Sequence, residues 1–186
     1  RDRLRSRGLG DVYKRQVCGR DVNLADDSVC RIIVSDTRAV MSKMAKTFFH
    51  SACDLLNIIS VVGTNGKTST TYLIDAILKE TGEKTAVIGS NGVWIGERRI
   101  KSALTTPDPI DLHELFYKIH LNKIRYVIME VSAHAIALKK MEGVTSDIAV
   151  FTNLSQDHLD FFKNMQTYAA VSYTHLRAHE TGAYLV

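Results

Sequence analysis

The sequence predicts an α/β protein built on a parallel sheet flanked by helices. Three observations carry that expectation. Short, β-branched apolar runs alternate with amphipathic stretches of helical length. Each apolar run ends in a cluster of polar or charged residues. One of them, Asn57–Val62, ends in Gly63-Thr64-Asn65-Gly66-Lys67-Thr68. Strands that alternate with helices pair in parallel through right-handed crossovers. Ligands of such sheets gather at the carboxyl ends of the strands.

The elements follow in chain order. Residues 17–54 hold a strand-like run at Arg31–Val34 and a helical pattern carried by Val40, Met41, Met44, Ala45 and Phe48. They read as the end of a preceding domain, with 50–56 as linker. From Asn57 the pattern gives a strand and then a glycine turn. A helix over 69–81 follows, with Leu73, Ile74, Ile77 and Leu78 on its apolar face. A strand over 85–89 comes next, then an irregular strand pair around Trp94 and Ile100, and the rigid turn Thr105-Thr106-Pro107-Asp108-Pro109. A helix over 110–122, a strand over 126–131, a short helix near 134–141 and a strand over 147–152 complete the alternation. A polar loop then enters a helix near Met165.

The two ends do not share this patterning. Residues 1–16 and 171–186 contain RGLGDVYKRQ and VSYTHLRAHET, which resemble translated adapter sequence. We expect them to be non-native tails. They hold 7 of the 24 Lys and Arg and 3 of the 20 Asp and Glu, which leaves 17 of each sign in residues 17–170. The formal charge of +4 therefore belongs to the ends and gives no support for nucleic-acid binding. His175 and His179 are discounted as a metal pair on the same ground. No apolar run approaches the ~18–20 residues of a membrane span. Cys18, Cys30 and Cys53 form no C-x-x-C pair, so buried thiols are expected rather than a zinc site or a disulfide framework.

Residues 63–68 carry the chemistry. Glycines at a strand-to-helix turn let backbone N–H groups face inward, the helix start adds positive potential, and Lys67 adds a point charge. That combination cradles phosphate, with the Thr68 hydroxyl placed for the Mg²⁺ that accompanies a nucleotide. The usual spacing has a glycine five residues before Gly66, where this chain has Val61. The strand over 126–131 delivers Glu130, a carboxylate suited to Mg²⁺. The strand over 147–152 delivers an amide, carboxylates and an imidazole at Asn153, Asp157, His158 and Asp160. Taken singly, each cluster also fits plain turn, cap or surface chemistry.

Together, GTNGKTST (63–70), TTPDP (105–109), MEVSAH (129–134) and FTNLSQDHLDF (151–161) resemble the Mur ligases. Within that family they are most similar to the branch that adds the third peptide residue to the peptidoglycan precursor. The resemblance implies a remnant of an N-terminal UDP-binding domain over 17–54 and part of a central ATP-binding domain over 55–170. It implies that Gly63, Thr64, Asn65, Gly66, Lys67, Thr68 and Ser69 cradle ATP, with Asn153 beside them. Thr68 and Glu130 hold one Mg²⁺ and His158 a second. Lys67, Glu130 and His158 form the catalytic set, converging from three neighbouring strand tips. Thr105, Thr106, Ser132 and Lys140 contact a UDP-N-acetylmuramoyl-dipeptide. Lys140 and Leu138 stand where the family has Arg and, in some members, Gln; lysine lacks the two-pronged donor geometry of arginine.

The implied reaction is ATP-dependent amide bond formation with L-lysine or meso-diaminopimelate. It takes place in the cytoplasm, with small-molecule substrates, no nucleic acid and no membrane insertion. The family's carbamylated lysine falls at Ser172. With that residue and the later domains lacking, these 186 residues are expected to have no ligase activity of their own. Alternatives are another Mur-type ligase, such as a folylpolyglutamate synthase, or a P-loop nucleotide-binding module.

Overall fold

The computed structural model describes residues 15–20, 30–157 and 159–177. His158, His179 and most of the two end segments lie outside them. The chain forms two compact units, residues 1–40 and 41–186. In the first, β1 (Arg15–Cys18) pairs in parallel with β2 (Cys30–Ile33), Arg15 opposite Cys30 and Cys18 opposite Ile33. β1 thus begins inside the segment expected to be tail. Helix α1 (Thr37–Phe48) spans the division between the units.

The second unit is built on β3 (Asn57–Val62), β4 (Thr85–Gly89), β5 (Gly92–Ile95), β6 (Arg98–Ile100), β7 (Tyr126–Glu130) and β8 (Ile148–Phe151). They form one sheet in the order β6-β5-β4-β7-β3-β8. β4, β7, β3 and β8 are parallel; β5 and β6 extend the edge as an antiparallel hairpin. The expected parallel sheet is therefore present. β3 lies between β7 and β8, so the chain that leaves β3 emerges between the tips of the two strands that carry the other polar clusters.

Alternation along the strands sorts side chains to two covered faces. Ile58 and Val62 of β3, Ala86 and Ile88 of β4, and Val127 and Met129 of β7 join Leu112, Leu115, Phe116 and Ile119 of α3 (Pro109–Leu121). Ile59, Val61, Val87 and Ile128 face the other way, toward Ile74 and Leu78 of α2 (Lys67–Glu80). The expected α2 face holds at Ile74 and Leu78 and fails at Leu73 and Ile77. Thr71 and Asp75 are buried, whereas Leu73 and Ile77 are 64% exposed. Asp75 is tolerated because both oxygens are bonded, one to Thr85 Oγ1 at 2.5 Å and one to Lys79 Nζ at 2.6 Å.

Other expectations shift in the same physical way. In α1 the buried positions are Ser42 and Ala45, and Met41, Met44 and Phe48 are exposed. The expected linker packs instead: Ala52–Leu55 forms a short 3₁₀ turn, and Cys53 and Leu56 enter the core. Cys18 and Cys53 are buried but Cys30 is exposed. Helix α4 (Ala133–Ala137) stops earlier than expected, because Lys139 adopts a left-handed φ of 57°. The Lys140 amide then bonds Ala135 O and the Lys139 amide bonds Ile136 O, closing the helix end.

A short helix α5 (Leu159–Phe162) precedes α6 (Met165–Arg177). α6 runs beyond residue 170, with Ser172 buried. No helix among the described residues is long and apolar enough to cross a membrane.

Candidate functional site

The sequence after β3 turns sharply because two glycines allow it. Gly63 has φ 137° and Gly66, which precedes α2, has φ 81°. A side chain on Gly63 would overlap the Thr152 hydroxyl and come within 2.9 Å of Asn153 O. The loop after β8 therefore sits directly against the glycine turn. Thr64 N donates to Asn153 O at 2.9 Å, and Asn65 N donates to Asn153 Oδ1 at 3.1 Å. Asn153 Nδ2 and Thr152 Oγ1 both donate to Asn65 O, at 3.0 and 2.7 Å.

Beneath this clamp, Thr64 Oγ1 accepts from Ser155 N at 3.0 Å and lies 2.9 Å from the hydroxyl of Tyr168 on α6. Tyr168 is fully buried, so its hydroxyl needs this partner.

Lys67 opens α2 and folds back over the turn. Its Nζ donates to Gly63 O at 2.7 Å and to Thr64 O at 2.8 Å. Burial pulls the ammonium below its ordinary lysine range, against the opposing pull of Glu130 and Asp157. A partly desolvated cation held at a helix start is suited to receive an anion. Ser69 is exposed on the same first turn.

Glu130 ends β7 and is almost wholly buried. Three donors hold it. Thr68 Oγ1 donates to Oε2 at 2.9 Å, Ser90 N donates to Oε1 at 2.9 Å, and Ser90 Oγ lies 3.2 Å from Oε2. A side chain on Gly89 would overlap Oε1, so the carboxylate occupies the space a glycine leaves open at the tip of β4. Thr68 and Glu130 offer a hydroxyl and carboxylate oxygens side by side, the hard oxygen donors that Mg²⁺ takes. Among the described residues no group of three His, Cys, Asp or Glu could hold a metal by itself.

The 105–109 loop is tied to the same strand tip. Thr106 Oγ1 donates to the Glu130 main-chain oxygen at 3.0 Å and accepts from Ser132 N at 3.1 Å. Thr105 Oγ1 lies 3.0 Å from Ser90 Oγ. Ser132 Oγ accepts from Ala135 N at 3.2 Å and caps α4 (Ala133–Ala137). Lys140, read from sequence as a substrate contact, bonds the protein itself. It pairs with Asp108 at 2.8 Å and donates to Thr106 O at 3.4 Å.

The structure thus forms two hydrogen-bonded groups, one of Gly63, Thr64, Asn65, Lys67 and Asn153 and one of Thr68, Glu130, Thr105, Thr106, Ser132 and Lys140, joined through the Lys67–Thr68 peptide into one band along the strand tips. His158 lies outside the described residues. Sequence reasoning missed Gly89, Ser90, Thr152 and Ser155 as parts of this band. The available signal for Ser90 was its place as the first polar residue after an apolar strand.

Comparison with known proteins identifies the family. The family described as Mur ligase middle domain matches residues 61–186. A UDP-N-acetylmuramoyl-L-alanyl-D-glutamate–2,6-diaminopimelate ligase from Caldanaerobacter subterraneus is 46% identical over 138 residues, covering 74% of this chain and 29% of that protein. The like-named protein of Clostridium perfringens is 36% identical over 164 residues, covering 86% of this chain and 34% of its own length. A solved structure of a ligase with this name superposes with a TM-score of 0.72 at 27% identity, covering 83% of this chain and 31% of that one. The chain spans about a third of the length of these relatives. With the family match extending over well more than half of its residues, the chain belongs to the Mur ligase family.

Proposed function

We propose that this chain carries the nucleotide site of an ATP-dependent ligase that joins a diamino acid to UDP-N-acetylmuramoyl-L-alanyl-D-glutamate. The names of the relatives favour 2,6-diaminopimelate over lysine as that amino acid. Residues 55–170 supply the site in this reading, and 17–54 belong to a preceding domain. The reaction uses ATP and a nucleotide-linked precursor, which assigns it to the cytoplasm. The observation that carries the reading is the convergence of Lys67 with the Thr68–Glu130 pair at adjacent strand tips.

The chemistry is phosphoryl transfer followed by acyl transfer. An oxygen of the dipeptide's terminal carboxylate attacks the γ-phosphorus, the bond to the β-phosphate oxygen breaks, and ADP leaves. The amine then attacks the acyl carbon, phosphate departs, and the nitrogen loses a proton. The glycine turn and the first amides of α2 receive the phosphates. Lys67 exchanges its bonds to Gly63 O and Thr64 O for phosphate oxygens, and its charge offsets the charge that builds in the transition state. Thr68 and Glu130 would hold Mg²⁺, which supplies charge neutralisation at the phosphates. Thr105, Thr106 and Ser132 lie along the band where the dipeptide end would approach, and Lys140 braces their loop. His158 remains a proposed ligand of a second Mg²⁺.

The test is formation of UDP-N-acetylmuramoyl-tripeptide by a full-length ligase that contains residues 17–170 of this sequence. Product and phosphate should appear together, and only with ATP, the nucleotide-dipeptide and 2,6-diaminopimelate all present. Lys67→Ala should lower the rate by about 100-fold or more. Product at an unchanged rate in that variant would overturn the reading.

A further inference from the structure

We propose that Ser90 is a positioning residue that joins the Glu130 carboxylate to the Thr105 hydroxyl, so that filling the cation site is transmitted to the 105–107 loop. This rests on the nucleotide and magnesium reading above.

Three features of the geometry carry it. First, the tip of β4 is shaped around Glu130. Gly89 leaves the space the carboxylate fills, and the Ser90 amide holds Oε1 at 2.9 Å. Second, the Ser90 hydroxyl stands between two groups, 3.2 Å from Glu130 Oε2 and 3.0 Å from Thr105 Oγ1. Third, those two groups belong to different halves of the site: Glu130 also receives Thr68 from the glycine turn, and Thr105 begins the loop that Thr106 and Lys140 tie down.

A proton count gives the consequence. A hydroxyl has one proton to donate, and an ionised carboxylate only accepts. While Glu130 Oε2 faces no cation, the Ser90 proton is directed at it. The contact with Thr105 is then made by the Thr105 proton, which points inward to Ser90. A cation on Oε2 repels both hydroxyl protons that face it. The Ser90 proton turns to Thr105 Oγ1, and the Thr105 proton is released to face outward. Thr105 thereby changes from a group that spends its donor on the protein to one that presents a donor to the substrate side. Alanine at position 90 cannot relay this change, whereas threonine can.

The experiment uses the full chain, Ser90→Ala and Ser90→Thr, with a non-hydrolysable ATP analogue as the probe. Magnesium is titrated calorimetrically, and hydrogen exchange is followed over residues 102–108 with and without it. Unfolding midpoints establish that the variants are folded. Ser90→Ala should need about 10-fold more magnesium for the same nucleotide occupancy, the scale on which partners of metal ligands act. Its nucleotide affinity in EDTA should be unchanged. Magnesium should slow exchange in the 102–108 segment of the unaltered chain and of Ser90→Thr, and leave it unaffected in Ser90→Ala. A folded Ser90→Ala with the unaltered magnesium requirement, or with the slowing intact, overturns this inference alone. An unaltered chain that binds no nucleotide at any magnesium concentration overturns the nucleotide reading and this inference with it.

Discussion

Glu130 is a carboxylate at the end of an apolar strand, nearly shut off from solvent and held by three donors from two other strand tips. Removing its charge while keeping its shape should separate its roles. Glu130→Gln should leave the fold intact, because the amide oxygen can still accept. It should weaken magnesium-dependent nucleotide binding by about 10-fold or more in a calorimetric titration; equal magnesium dependence would count against Glu130 as a ligand. His113 raises a different matter. It is buried with Nε2 lacking a hydrogen-bond partner, and burial, reinforced by Lys46 and partly offset by Asp54, pushes its pKa down to about 4. The unfolded chain, with an ordinary imidazole near 6.5, takes up the proton first as pH falls. Stability from this residue is therefore intact above about pH 6.5 and lost progressively toward pH 4, with about 1–2 kcal/mol gone at pH 5. Urea denaturation at pH 7 and pH 5 should show that difference, and His113→Phe should remove it. Lys67, Thr68 and Gly63 were legible from sequence because a contiguous motif holds them. Gly89 and Ser90 were not, because their partner is forty residues away and only the pairing of β4 with β7 brings them together.

The glycine turn works only as a joint structure with the loop after β8. Thr152, Asn153 and Ser155 all bond Thr64 or Asn65. Gly63→Ala places a methyl group into Thr152 and Asn153 and demands a left-handed φ of an L-residue. It should cost about 2–4 kcal/mol in chemical denaturation. The same substitution at Gly66 meets nothing within 4 Å and should cost only the backbone term, about 1–2 kcal/mol. Helix existence and order were legible from periodicity, but helix faces only in part: Ile74, Leu78 and Ala45 turn inward as expected. Leu73 and Ile77 fit an apolar stripe in sequence. The sheet instead takes Thr71, Ile74, Asp75 and Leu78, because Thr85 and Lys79 satisfy the buried carboxylate. Leu73→Lys and Ile77→Lys should each change stability by only about 0.5 kcal/mol. The end of α4 was hidden for a similar reason: a lysine, not a glycine, takes the left-handed position.

On the scale of the whole second unit, one sheet with both faces covered sets everything else. Phe116 is fully buried on the α3 face, and Phe116→Ala should cost about 3–5 kcal/mol and loosen the sheet that aligns the strand tips. The order β7-β3-β8 explains why separate polar clusters in the sequence form one band. The parallel alternation was legible, and so was the placing of the polar clusters at the strand tips. Cys53 and Leu56, on either side of the expected boundary, pack into the core of the compact unit that runs from Met41. The proposed function rests on the turn after β3 and the tip of β7 making one nucleotide and magnesium site. Calorimetric titration of ATP with magnesium into this chain and into Lys67→Ala is the sharpest test. The unaltered chain should bind, and binding should weaken at least about 10-fold, or ~1.4 kcal/mol, in the variant. Equal affinities in two folded proteins would contradict it.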